Sequence, residues 1–148
     1  MTLHDHAKAF AEHLEAKSYS PRTVEAYSRH TGAFIAYLER YYPRVTRPNE
    51  IIREIVDDFQ HFIRESKTRD GMPPANTTVR LKLNALKSFF SFLVDRDVVL
   101  RDPTTVIVPP KEEQRLTRRV PTPDEMIDIL RSVEPRDPAS KRDRAILE

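Results

Sequence analysis

The chain has 148 residues, of which 39% are hydrophobic, and it carries a formal net charge of +2 at pH 7. It contains no cysteine, which excludes disulfides and thiolate chemistry, and no apolar run is long enough to cross a membrane. The N-terminus also lacks the apolar core of a signal peptide, so the sequence predicts a soluble cytoplasmic protein with one domain, or one domain plus part of another.

The charge is distributed unevenly along the chain. Residues 1–75 carry 11 basic and 11 acidic residues, whereas residues 76–120 carry 9 basic and 5 acidic ones. Residues 121–148 carry 5 basic and 7 acidic residues. The excess positive charge therefore lies in the middle of the chain, which is a local signal for nucleic-acid binding.

Two helices are predicted before residue 41. Thr2 is a suitable N-cap for the first, with Asp5 at its third position, and this helix runs to about Lys17. Ser20 is the predicted N-cap of the second, which runs to about Arg40, and Pro21 suits its first position. Its predicted buried face consists of Val24, Tyr27, Thr31, Phe34, Ile35 and Leu38.

The opposite face of the second helix combines arginines with small side chains. Its residues are Arg22, Ala26, Arg29, Ala33, Ala36 and Arg40. Small side chains let a partner approach the backbone closely, while arginine offers a forked set of hydrogen-bond donors. This face is either a phosphate-binding surface or an alanine-rich face exposed to solvent.

A third helix is predicted to begin between Asn49 and Glu54 and to end near Glu65. Its core stripe is Ile52, Ile55, Val56, Phe59, Phe62 and Ile63. A loop follows, marked by Asp70-Gly71 and by the pair Pro73-Pro74.

The central helix, Thr77 to Asp95, is apolar around most of its circumference, with Asn76 or Thr77 as its predicted N-cap. Its apolar positions are Val79, Leu83, Leu86, Phe90 and Leu93, widened by Leu81, Ala85, Phe89 and Phe92. Such a helix is surrounded by other helices, so the four elements predict an all-α bundle.

One polar strip remains on the central helix: Arg80, Asn84, Lys87, Ser88 and Ser91. Its side chains are suited to binding phosphates or base edges. The alternative interpretation is a solvated stripe on a core helix.

Composition changes after Arg96, since seven of the twelve prolines lie beyond residue 100. Residues 106–108 form a short apolar anchor, and residues 109–120 are interpreted as an extended linker. Thr122, Pro123 and Glu125 then predict a capped helix, and another helix begins near Lys141. We therefore expect a helical domain over 1–108, a linker over 109–120 and the truncated start of a second domain over 121–148.

The sequence offers no convincing active site. Glycine occurs only at positions 32 and 71, which excludes a phosphate-cradling loop. The histidines have no metal-ligand spacing, and no catalytic set of serine, histidine and aspartate stands out. We expect no catalytic residues, no metal, no cofactor and no small-molecule substrate.

The order of these signals resembles the N-terminal domain of tyrosine recombinases, the phage-integrase and Xer-like site-specific recombinases. The resemblance rests on Ser20-Pro21-Arg22-Thr23 with Ala26-Tyr27, and on the stretch from Leu83 to Leu93. It continues through Asp102-Pro103, Pro109-Pro110-Lys111, the helix over 121–130 and the stretch 141–148.

The resemblance implies a four-helix, SAM-like bundle that clamps duplex DNA, with its second and fourth helices against the major groove. In the family, a following catalytic domain uses arginine, lysine, histidine and a tyrosine nucleophile. Here every tyrosine lies at or before Tyr42 and every histidine at or before His61. We therefore expect the DNA-binding part plus the opening of the catalytic domain, not catalytic as given, from a full-length enzyme that assembles with other recombinase protomers on DNA.

The predicted site residues follow from these two helices. Arg22, Arg29, Arg80 and Lys87 are expected to neutralise phosphates, and Asn84 to contact a base edge, preferably adenine. Ser20 and Thr23 could hold a phosphate at the start of the second helix. The remaining candidates are Ser88, Ser91 and Lys111. The alternative functions are a helical protein–protein interaction module and a catalytically inactive DNA-binding regulator.

Overall fold

The computed structural model describes residues 1–68, 70–110, 122–132, 141–142 and 145, without the side chains of 129 and 130. Within these residues every regular element is helical. The chain divides into two compact units, Met1–Glu112 and Glu113–Glu148. The all-α prediction is therefore confirmed, and the first unit contains the four predicted helices.

The first two helices begin at the predicted caps. Helix α1 spans Leu3–Ala16; Thr2 Oγ1 accepts a hydrogen bond from Asp5 N–H at 3.2 Å, and the Asp5 carboxylate accepts one from Thr2 N–H at 2.7 Å. Helix α2 spans Pro21–Tyr41, and Ser20 Oγ accepts from Thr23 N–H at 3.2 Å. These side chains satisfy backbone donors that the first helical turn leaves unpaired.

Helix α3 spans Arg53–Glu65 and follows a short 3₁₀ helix, Pro48–Glu50. Four residues of the predicted stripe are buried, but Ile52 is 55% exposed and Phe62 is 41% exposed, so both assignments to the core were wrong. Ile52 is the extended N-cap residue and does not follow the helical period. The Phe62 ring packs at the edge of the bundle, 5.0 Å from Tyr37 and 5.5 Å from Tyr41 between ring centroids.

Helix α4 spans Asn76–Val94, and its N-cap is Ala75 without a side-chain hydrogen bond. The prediction that Asn76 or Thr77 caps it was wrong, because both residues already lie inside the first turn. Leu81 is 40% exposed, so its placement in the core was also wrong. It follows Val79 by two residues, or about 200° around the helix, and therefore points away from the core. The other eight predicted core residues of this helix are buried.

Aromatic rings join the other helices to α4. Phe90 of α4 lies 6.1 Å from Phe34 of α2, and Phe34 lies 4.8 Å from Phe59 of α3. Phe10 of α1 lies 5.4 Å from Phe89. Edge-to-face pairs at these separations add to the stabilisation from apolar burial, and they link α1 and α2 to α4 directly and α3 to α4 through Phe34.

A second 3₁₀ helix, Pro103–Val106, closes this unit. Asp102 Oδ1 accepts hydrogen bonds from Thr104 N–H at 2.7 Å and from Thr104 Oγ1 at 2.6 Å, and Thr104 is fully buried. Ile107 is buried as the predicted anchor, while Val108 is 72% exposed. Arg64 Nη2 donates to the Val108 carbonyl at 3.3 Å. Residues 111–121, most of the predicted linker, lie outside the described residues.

The second unit contains helix α5, Pro123–Ser132. The predicted capping box is confirmed, since Glu125 Oε2 accepts from Thr122 N–H at 2.9 Å and Thr122 Oγ1 accepts from Glu125 N–H at 3.3 Å. Lys141 and Arg142 are helical, in agreement with a helix near that position.

Candidate nucleic-acid interface

The outward face of α2 carries the predicted line of arginines. Arg22, Arg29 and Arg40 are exposed, as are Ala33 and Ala36 between them. At 1.5 Å per residue, the line is about 27 Å long. The side chains along its middle are short, so an extended polyanion can approach the backbone of α2 there.

Two features limit the positive potential at the start of α2. Glu25 is exposed and lies within one turn of both Arg22 and Arg29, where its carboxylate opposes their charge. The Ser20 oxygen caps the helix and also lies 2.8 Å from Thr23 Oγ1. The hydroxyls of Ser20 and Thr23 therefore already have partners, and a phosphate would have to compete with them.

The polar strip of α4 lies on the outward side of that helix. Asn84 and Ser91 are exposed, whereas Arg80, Lys87 and Ser88 are half-buried. The strip is thus accessible at Asn84 and Ser91 and half-covered at its two cations. Lys111, the remaining predicted contact, lies outside the described residues.

His30 of α2 experiences the positive charge of cations on both α2 and α4. It is half-buried, and its Nε2 atom is buried without a hydrogen-bond partner in the described structure. Its pKa is lowered from the ordinary histidine value, first by burial and then by the positive charges of Arg29 and Lys82. Because Lys82 acts on this imidazole, Lys82 of α4 lies near His30 of α2.

Lys82 belongs to a different side of α4 from the polar strip. It precedes Asn84 by two residues, which separates the two side chains by about 160° around the helix. Lys82 therefore lies on the side of α4 near His30 of α2, and the strip from Arg80 to Ser91 forms a separate surface.

Sequence reasoning missed Lys82 and His30. Lys82 interrupts the apolar side of α4, and that interruption was the available signal. Its proximity to His30 depends on how the two helices pack, which periodicity does not define.

The described residues also bear on metal binding and membrane insertion. No three His, Asp or Glu side chains there are grouped so that they could hold a metal ion. None of the helices in that part of the chain combines the length and apolar character needed to span a bilayer.

The packed helices define an all-α, SAM-like bundle. The family model described as phage integrase, N-terminal SAM-like domain, matches residues 7–99, and the chain belongs to this family. The match covers most of α1 and all of α2, α3 and α4, and so includes the two helices that carry the cationic surfaces.

Curated relatives named tyrosine recombinase XerC match nearly the whole chain. The protein from Roseiflexus castenholzii is 32% identical over 151 residues, covering 99% of this chain and 44% of the relative. The protein from Pseudomonas syringae pv. syringae is 27% identical over 147 residues, with 99% and 46% covered. The protein from Lacticaseibacillus casei is 30% identical over 142 residues, with 95% and 45% covered.

The chain thus spans less than half the length of these relatives, and the predicted resemblance to tyrosine recombinases is confirmed. No solved structure gives a significant match to the chain.

Proposed function

We propose that this chain is the DNA-binding core domain of a tyrosine recombinase and that it contacts duplex DNA through α2 and α4. The observation that carries the proposal is the exposed line of Arg22, Arg29 and Arg40 on α2, beside which Lys82 of α4 adds positive charge at His30. A surface on which positive charges accumulate attracts the phosphates of a polyanion. Membership of the integrase family makes the DNA backbone the polyanion of choice.

In this proposal the main contacts to the sugar-phosphate backbone of DNA come from Arg22, Arg29 and Lys82. The alanines beyond Arg29 allow the sugar-phosphate backbone to lie close to α2. The strip on α4 provides a second contact surface, where Arg80 and Lys87 bind phosphates. Asn84 between them offers an amide to a base edge, for which adenine is the preferred partner.

Salt dependence tests the proposal. Five phosphate contacts correspond to a slope of log affinity against log salt of about −4.5. The double change Arg29→Ala and Lys82→Ala is expected to reduce the steepness of that slope by about two and to weaken binding on every sequence. A salt-independent response, or parental binding by this variant, would contradict the proposal and favour a protein-interaction module.

A matched variant separates the two surfaces. Arg80→Ala with Lys87→Ala removes the same number of cations from the other side of α4. If the strip contacts DNA, this variant also loses about two units of slope; if it binds like the parent, the strip is only a solvated face. Asn84→Ala is expected to change the preference between sites with little change in slope.

We further infer that these 148 residues do not cleave DNA by themselves. Of the five tyrosines, Tyr42 donates its hydroxyl to Asp58, and this hydrogen bond is the main reason that its pKa is raised. A nucleophilic tyrosine needs the opposite shift. Burial likewise raises the pKa of Tyr37. Strand cleavage, and assembly with further recombinase protomers in the cytoplasm, are assigned in this proposal to the full-length protein.

The test of this inference is incubation with a nicked suicide duplex followed by denaturing electrophoresis. We expect the protein to run at its own mass with no DNA attached. A covalent protein–DNA band that disappears on changing one tyrosine to phenylalanine would contradict the inference.

A further inference from the structure

Arg40, the last arginine of the line on α2, lies over an aromatic ring. The centre of its guanidinium is 5.4 Å from the centroid of the Tyr41 ring. A guanidinium placed in this way is attracted by the π electrons of the ring, and the contact restricts its motion. Its N–H donors stay in the guanidinium plane, where a forked pair of phosphate oxygens can accept from them.

The Tyr41 ring is itself held by neighbouring aromatic side chains. Its centroid lies 4.9 Å from that of Tyr37 and 5.5 Å from that of Phe62 on α3. Tyr37 is buried and packs against Phe59, with 5.0 Å between the ring centroids. Tyr41 remains 48% exposed, so the ring is anchored on the side of the bundle and open toward solvent. It therefore forms a fixed support for the guanidinium.

Few carboxylates oppose the positive charge at this end of α2. Glu25 reduces the potential at the start of the line, but no acidic residue lies three or four positions before or after Arg40. The fourth position after it is instead a second exposed arginine, Arg44. The adjacent Glu39 has a partner on another helix, since its Oε1 atom is 2.8 Å from His4 Nε2. With the described residues, the Arg40 guanidinium forms no ion pair or hydrogen bond.

We propose that Arg40 is a further phosphate contact of the DNA-binding surface and that Tyr41 is the residue that positions it. This inference rests on the proposed function, because it extends the same surface of α2. Arg40 follows Arg29 by eleven residues, or about 17 Å along the helix, so it binds a different phosphate. It adds one contact to the five assigned above, and the salt slope of the parent becomes about −5.4.

Duplex binding over a salt series tests both roles. Arg40→Ala should reduce the steepness of the slope by about one. Tyr41→Leu keeps the cation but removes its support, so the affinity should fall about two- to fivefold with little change in slope. Tyr41→Phe keeps the ring and should bind like the parent. Arg101→Ala is the matched control, since it removes an exposed arginine outside α2 and α4, and it should keep the parental slope.

A double-mutant cycle separates positioning from a general structural role of Tyr41. In the Arg40→Ala background, Tyr41→Leu should cause no further loss of affinity, because the ring then has no guanidinium to position. A ring that mattered only for the packing of α2 would lower the affinity equally in both backgrounds. Melting curves of all variants establish that each is folded at the temperature of the binding assay.

Proximity to the DNA can be mapped directly because the chain contains no cysteine. Arg40→Cys provides a single thiol to which an iron–EDTA reagent can be attached. Hydroxyl radicals generated there should cut the bound duplex within a few nucleotides of one position. The same reagent on Arg101→Cys should leave the duplex uncut.

The outcomes distinguish this inference from the proposed function. A parent without salt-dependent DNA binding would overturn both. A steep parental slope that Arg29→Ala with Lys82→Ala reduces, but Arg40→Ala does not, would overturn this inference alone. Parental affinity in Tyr41→Leu, equal losses in the two backgrounds, or an uncut duplex with the reagent at position 40 would also overturn it.

Discussion

Two leucines on the same helix differ in burial and make a sharp test of the core. Leu86 is 2% exposed, while Leu81 is 40% exposed on the same α4. Leu86→Ala removes a fully packed side chain and should lower the free energy of unfolding by about 2–5 kcal/mol. Leu81→Ala keeps the helix propensity high and loses little burial, so it should cost about 1 kcal/mol or less.

Urea unfolding followed by circular dichroism measures both changes. With a slope of about 2 kcal/mol per molar urea, Leu86→Ala should lower the midpoint by about 1–2.5 M and leave the slope unchanged. The melting temperature should fall by about 8–20 °C, against a few degrees for Leu81→Ala. Equal losses in the two variants, or a loss below about 1 kcal/mol for Leu86→Ala, would refute the assignment of the helix faces.

Three further predictions concern pH, a helix cap and a tyrosine. His6, His13 and His30 all have lowered pKa values, mainly through burial, so the folded state binds protons less tightly than the unfolded chain. The contribution of these histidines to the free energy of unfolding should be fully present above about pH 6.5 and should be lost as the pH drops below it. Melting temperatures that stay constant from pH 7.5 to 5 would contradict this. Ser20→Ala should cost about 1 kcal/mol in urea unfolding, because Thr23 N–H loses its cap, with Ser20→Thr as the control that keeps it. Tyr42→Phe should lower the free energy of unfolding by about 1 kcal/mol through loss of the hydrogen bond to Asp58. A spectroscopic pH titration of this variant should lack the tyrosine whose pKa is raised by that hydrogen bond.

The helix starts that depend on local chemistry were predictable from the sequence. Ser20 with Pro21, and Thr2 with Asp5, form the expected caps because a cap involves residues only a few positions apart. The start of α4 was not predictable in this way. Its N-cap is Ala75, which brings no side-chain hydrogen bond, so no local signal marked it.

The errors in the core have a different cause. Three apolar residues, Leu81, Ile52 and Phe62, were assigned to the core from helical periodicity alone. The predicted buried faces therefore included more positions than the neighbouring helices cover. Their exposure depends on where neighbouring helices end and on which side of each helix is covered. Apolar type therefore indicated the core correctly for most positions, and tertiary packing decided the residues at its margins.

The same distinction applies to the candidate interface. The exposure of Arg22 and Arg29 could be predicted, since both lie opposite the apolar face of α2. The approach of Lys82 to His30 could not, because it arises between residues more than fifty positions apart. His30 gained significance only when both cations were placed beside it.

The buried Ile107 holds the chain against the bundle beyond the end of α4. The hydrogen bond from Arg64 to the Val108 carbonyl extends this attachment by one residue, so a tether to another module begins after Val108 and not at the end of α4. The effective concentration of a module joined beyond this point depends on tether length from Val108 onward, and falls roughly as the −3/2 power of that length once the span is reached. Residues inserted into such a tether would therefore change how often the bundle and the linked module act together, and the folded bundle would keep its stability.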